Sequence, residues 1–171
     1  MTINAEELRA IQAPIKERYK AKPDAAFITL KAEGHLGEGI TCNVQTGKAL
    51  VEAGLHPATG GTGLSACSGD MLLEALVACA GVTLSAVATA LGIGIRDGVV
   101  RAEGDLDFRG TLGIAKEAPV GFSRIRLDFA LDTDASEEQL HTLIRLTERY
   151  CVVYQTLRQS PEILVSTSTL T

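Results

Sequence analysis

Residues Ser68 to Leu91, SGDMLLEALVACAGVTLSAVATAL, decide the fold. The stretch is helical in composition and apolar nearly all the way round, with one thiol, Cys79, near its middle. A helix without a polar face is either buried on every side or crosses a membrane. About 20 apolar residues suffice to span a bilayer, so length alone permits the second reading. Glu74 stands one turn into the helix, Thr83, Ser85 and Thr89 follow, and alanine is abundant where lipid would favour larger side chains. The sequence offers no second span, no flanking Lys/Arg cluster and no tryptophan for an interfacial belt. The stretch therefore reads as the central helix of a soluble core. Gly81, Ser85 and Thr89 recur every four residues, which predicts a face of small groups pressed against another helix.

The rest of the chain supports a soluble domain. A length of 171 residues is enough for one domain with a sizeable core. The formal net charge of -5, the lack of a basic stripe and an aromatic content of 4% argue against nucleic-acid binding. The first residues, MTINAEELRAIQAPIKERYK, contain no apolar signal segment, and Glu6, Glu7 and Glu17 are foreign to a mitochondrial presequence. The expectation is a cytoplasmic protein whose four cysteines stay reduced unless they are doing redox chemistry.

Outward from the long helix, strands and helices alternate without repeats. Leu8, Ile11, Ile15 and Tyr19 predict a short amphipathic first helix ending before Pro23, so residues 1–22 form an N-terminal helical extension. Period-two patterning predicts strands over Ala26–Ala32 and Ile40–Gln45. A Thr46-Gly47-Lys48 turn then leads to a third strand near Ala49–Ala53, giving an antiparallel meander. Ser68 or Asp70 is placed to cap the long helix, and Gly92 and Gly94 to stop it. Strands are expected over Val99–Phe108, with its acidic face outward, and over Phe122–Leu131, with Ile125, Leu127, Phe129 and Leu131 inward. Asp134 and Glu137 suggest a capping box for a last helix. Its apolar stripe runs Leu140, Leu143, Ile144, Thr147, Cys151 and Tyr154, and Pro161 ends it. A strand over Ile163–Leu170 closes the chain. The order α-βββ-α-ββ-α-β describes a single α+β domain over residues 1–171, with antiparallel sheets packed on long central helices.

The chemistry-bearing residues are sparse. No Cys-x-x-Cys pair exists, and His35, His56 and His141 stand apart, so nothing points to a metal site. The glycine-rich loop from His56 to Gly69 lacks the Gly-Lys-Ser/Thr ending of a phosphate loop and the spacing of a dinucleotide fingerprint. Composition alone makes Cys79 a small core residue, as free cysteine commonly is. Cys42 and Cys67 read the same way.

Two motifs change that weighting. The helix of form S-x-D-M-L-L-E-A-L-V-A-C-A-G-V-T-L, followed much later by R-Y-C-V-V-Y-Q-T-L, resembles the OsmC/Ohr family of osmotically inducible and organic hydroperoxide resistance proteins. The resemblance runs from about Ala26 to the end of the chain, and the element order agrees. It implies an intertwined homodimer with central helices at its interface, and a thiol peroxidase acting on organic hydroperoxides in oxidative stress defence. By that resemblance Cys79 is the peroxidatic cysteine and Cys151 the resolving one. No bound cofactor is implied, only an external dithiol reductant of lipoyl or thioredoxin type. No nucleic acid or membrane partner is implied.

The sequence departs from the family in three places. No arginine stands in Gly37–Ile40, where the family's thiolate-stabilising cation is sought, leaving Arg18, Arg101, Arg149 or His56 as substitutes. Asp70 stands near the family's glutamate, and Ser68 replaces the proline before it; Glu74 faces away from Cys79 around the same helix. Val152 replaces the proline after the second cysteine, which predicts that Cys151 lies inside a continuous helix. These departures keep two other readings open: a binding module for a small apolar ligand, and a thiol redox sensor using Cys67 and Cys79.

Overall fold

The structure, a computed structural model, describes residues 4–22, 33–36, 41–46, 49–113 and 115–169. Helix α1 (Ala5–Ala21) opens the chain. Asn4 caps it, its Oδ1 accepting from the N–H groups of Glu6 and Glu7. Strands β1 (Glu33–Leu36), β2 (Thr41–Thr46) and β3 (Ala49–Gly54) form an antiparallel meander, in which β2 and β3 are the expected pair and β1 was not foreseen. The strand expected over Ala26–Ala32 lies outside the described residues. A two-residue strand β4 (Ala66–Cys67) adds to β3 in parallel, an element the glycine-rich loop did not advertise.

Helix α2 (Ser68–Leu91) is the long apolar helix. Ser68 is its first helical residue and Asp70 lies in its first turn. The residue at the cap position is Cys67, and no side chain caps the helix. Its stop is the expected one: Gly92 takes the left-handed conformation at φ +70°, and its N–H closes onto Ala88 and Thr89. Of the described helices, α2 alone is long and apolar enough to cross a membrane. Its stripe Leu76, Ala80, Leu84 and Ala88 is instead buried against protein.

Strands β5 (Asp97–Asp105) and β6 (Arg124–Asp132) pair as an antiparallel hairpin. The register sets Val100 against Phe129, Ala102 against Leu127 and Gly104 against Ile125, so this face carries the core side chains. A methyl group on Gly104 would come within 2.4 Å of the Phe122 ring, which is why no larger residue fits there. Strand β5 stops before the expected Phe108. Asp107 turns the chain instead by accepting from the Arg109 N–H, and Phe108–Thr111 forms a short helix, α3.

The last helical region differs from expectation at both ends. Helix α4 (Glu137–Tyr150) is started by a capping box of Ser136 and Gln139, not by Asp134 and Glu137. The Asp134 carboxylate is held by Arg96, which also grips Asp132, so it is not free to cap. The helix then breaks at Cys151, and a seven-residue helix α5 (Val152–Arg158) continues from it. The residues expected to form a closing strand run as exposed chain without strand pairing as far as Thr169. Ile163, Leu164 and Val165 have strand-forming side chains, but a strand also needs a hydrogen-bonding neighbour, and among the described residues none pairs with them.

The core has two buried clusters along α2. Leu84, Ala88, Ile93 and Leu143 form one, covered by side chains such as Val87, Leu131 and Ile144. Leu76, Ala80 and Cys151 form the other, covered by Cys79, Val100, Leu127, Val153, Tyr154 and their neighbours. Phe129 touches both. Each fully buried leucine contributes about 1.5–3 kcal/mol of transfer free energy. On its small-residue face α2 meets the start of α1 across a gap. Gly81, Ser85 and Thr89 border an open groove of about 710 Å³, together with Asn4 and Ala5 at the start of α1. Ser85 and Thr89 turn their hydroxyls back onto the carbonyls of Gly81 and Ser85.

Candidate functional site

Cys79 and Cys151 are far apart in sequence and share one buried cluster. Helix α2 supplies the first and the α4–α5 elbow the second. Cys151 is 1% exposed and belongs to both of its helices. Its N–H donates to the Thr147 carbonyl as the last bond of α4, and its carbonyl accepts from the Gln155 N–H as the first of α5. Between those bonds its backbone is extended, at φ -73° and ψ 110°. The continuous helix expected through this point is thus absent. Neither proline nor glycine makes the break. Two β-branched residues, Val152 and Val153, follow it, and they resist helix formation only weakly.

The break is held by a polar clamp. The Gln155 side-chain amide reaches back across the elbow and donates to the Glu148 carbonyl at 2.7 Å. That carbonyl belongs to the last turn of α4, where intrahelical partners run out. The first N–H groups of α5 face the mirror problem, and sulfur answers it. Tyr154 donates to Cys151 Sγ at 3.5 Å, while the N–H groups of Val152 and Val153 are turned to the Cys79 sulfur.

These contacts separate the two thiols in acidity. Partial burial pushes Cys79 up, but hydrogen bonds from the Val153 N–H, the Cys151 thiol, the Val152 N–H and the Thr83 hydroxyl together outweigh it. The net result holds Cys79 below the ordinary thiol value. Burial pushes Cys151 up. The Tyr154 N–H opposes that, but hydrogen bonding to Cys79 and the Cys79 charge raise it further, and the net shift is upward. The first proton lost from this coupled pair therefore leaves Cys79. Thiolate is the nucleophilic form, so Cys79 is the more nucleophilic thiol of the pair and Cys151 the one that holds its proton longer.

The candidate cations lie elsewhere. Among the described residues, the groups acting on the Cys79 sulfur are all neutral. Arg101 is on the exposed face of β5, and the Arg149 guanidinium lies over the Tyr150 ring at 5.6 Å. His56 stacks on Phe108 at 5.0 Å, and its Nδ1 accepts from the Ala58 N–H. The Arg18 side chain falls outside the described residues, as does that of Cys42. Asp70 and Glu74 are exposed on α2 beside a shallow hollow with Leu73, Val77, Ala78 and Ala102. Cys67 is a half-buried free thiol at the start of α2. Next to the cysteine cluster, a cavity of about 490 Å³ shares its residues Leu76, Ile125, Leu127, Phe129, Tyr154 and Leu157, with Arg124, Glu148 and Arg158 also in its walls. The sequence named the two thiols that the fold brings together, but not the elbow, Gln155 or the two amides.

The family model described as OsmC-like protein matches residues 61–166. No curated protein matches the chain in sequence. Solved structures share its fold. An OsmC-like protein from Mycoplasma pneumoniae aligns with a TM-score of 0.65 at 19% identity, over 78% of this chain and 89% of its own. An organic hydroperoxide resistance protein OsmC from Legionella pneumophila aligns with a TM-score of 0.61 at 18% identity, over 78% and 92%. The organic hydroperoxide resistance protein OhrB of Bacillus subtilis gives 0.53 at 21% identity, over 79% and 94%.

Proposed function

The chain belongs to the OsmC-like protein family, and from that premise we propose that it is a cysteine-based peroxidase that reduces organic hydroperoxides to alcohols. The observation that carries this reading is the meeting of two thiols of opposite acidity shift in one buried cluster. Two of the structural relatives are named organic hydroperoxide resistance proteins.

In this reading the Cys79 thiolate attacks the terminal peroxide oxygen and the O–O bond breaks. Cys79 becomes a sulfenic acid, and the departing alkoxide takes a proton from water to leave as the alcohol. The Cys151 thiol then displaces hydroxide from the sulfenic sulfur, forming a Cys79–Cys151 disulfide and water. An external dithiol of lipoyl or thioredoxin type supplies two electrons by thiol–disulfide exchange and restores both thiols. No bound cofactor enters the cycle, and the setting is cytoplasmic oxidative stress defence. Ala75, Ala78, Val82 and Ala86 are exposed along one side of α2, Val82 at 73%, and leave an apolar outer face that a second copy of the chain would cover in a homodimer.

The test is consumption of cumene hydroperoxide with dithiothreitol as reductant. Turnover is expected in the native chain and none in Cys79→Ser; equal turnover in the two would remove the reading. A second reading, a binding module for a small apolar ligand, draws on the 490 Å³ cavity, whose walls include neither thiol. It would be preferred if Cys79 proved inert and a hydrophobic ligand raised the melting temperature.

A further inference from the structure

We propose that the elbow at Cys151, held in shape by the Gln155 clamp, does for the Cys79 sulfur what a charged side chain would otherwise do, with Gln155 as a positioning residue and the Val152 N–H as a working hydrogen-bond donor. This rests on the peroxidase reading and adds how its thiolate is held. Three features carry it. The Gln155 side chain bridges α5 to the last turn of α4 at 2.7 Å, so the angle between the two helices depends on a side-chain bond and not on a proline or glycine. The early donors of α5 are directed at the two cysteines: Gln155 donates to the Cys151 carbonyl and Tyr154 to Cys151 Sγ, and the Val152 and Val153 N–H groups act on the Cys79 sulfur, which packs with Cys151 and Val153 in one cluster. Among the described residues no cationic group acts on Cys79. Straightening the elbow would return the Val152 and Val153 amides to helical carbonyls, and the sulfur would lose both while keeping its burial and the Thr83 hydroxyl.

Residue 152 decides whether one of these donors exists. Val152 is 70% exposed, so its side chain is not needed for packing. It is the first residue of α5, where proline is well accepted, and the extended Cys151 before it suits a following proline. Val152→Pro therefore removes an N–H and little else. The predicted difference is one of acidity, not of fold.

The experiment is the pH dependence of iodoacetamide alkylation of the Cys79 peptide, read by mass in three proteins. They are the native chain, Val152→Pro, and Gln155→Met, which keeps the length of the side chain without its donor. Both variants are expected to melt near the native temperature. Their alkylation inflection should move to higher pH, with the rate at neutral pH about fivefold lower, the scale of one lost hydrogen bond to a charged group. An unmoved inflection in both variants would overturn the proposal even if peroxide turnover fell, because turnover can fail for merely structural reasons. Alkylation reads the thiol without peroxide, so a failure of the peroxidase reading shows separately, as a native inflection no lower than that of the unfolded chain.

Discussion

Leu84 and Ala88, in the second half of α2, meet the unbroken body of α4 through Leu143, whereas Leu76 and Ala80, in the first half, meet its broken end through Cys151. The alternation of leucine and alanine every four residues is the same in both halves. Where α4 is continuous, its amides are consumed by its own helix and the contact is hydrocarbon packing. Where it breaks, amides become available to a neighbour, and the neighbour is a thiol. One buried stripe meets hydrocarbon at one end and a thiol with free amides at the other, and the helix opposite makes the difference.

The largest effect expected from breaking the chemical end is in Cys151→Ser. In excess peroxide, consumption should stop after about two equivalents per chain, the first forming the Cys79 sulfenic acid and the second carrying it to the sulfinic acid, a gain of two oxygens by mass. Sustained turnover would show that Cys151 does not resolve the intermediate. At the packing end, Leu143→Ala should cost about 2–5 kcal/mol in urea unfolding and leave the Cys79 alkylation profile in place. Leu76→Ala should cost a similar amount and also move that profile. If both variants moved it equally, the two ends would be one unit and the comparison would fail.

The acidity shifts also have opposite signs in stability. Cys79, lowered on folding, contributes stability at high pH that is lost as pH falls through its folded value. Cys151, raised on folding, contributes stability at low pH that is lost as pH rises through its folded value. Cys79→Ser should therefore flatten the first dependence and Cys151→Ser the second, as followed by urea midpoints across pH; an unchanged slope in either would contradict the assigned direction. The smallest effect belongs to Thr83→Val, which removes the last-ranked of the four donors to Cys79. About a twofold loss in alkylation rate at neutral pH is expected, on the scale of a weak neutral hydrogen bond. A loss larger than that in Val152→Pro would reverse the ranking.

The sequence carried the frame of the site better than its detail. Helix α2, its Gly92 stop and the inward Ile125–Leu127–Phe129 face of β6 were legible because apolar spacing and glycine geometry are local signals. The two thiols that share a cluster were singled out by motif. The elbow was not, because Leu140, Leu143, Thr147, Cys151 and Tyr154 keep helical spacing straight through it. A break held by a side-chain clamp whose two ends are seven residues apart leaves no turn residue to read. Asp134 and Glu137 imitate a capping box, and only the fold shows Asp134 committed to Arg96. The exposed Ile163–Val165 run has strand composition without a strand, since composition does not supply a partner.

The most direct test of the account is the intact mass and free-thiol count of the reduced protein before and after one equivalent of cumene hydroperoxide. The account predicts rapid loss of two thiols, mapped by peptide mass to a Cys79–Cys151 disulfide. Retention of both thiols over minutes, or a disulfide through any other cysteine, would contradict it.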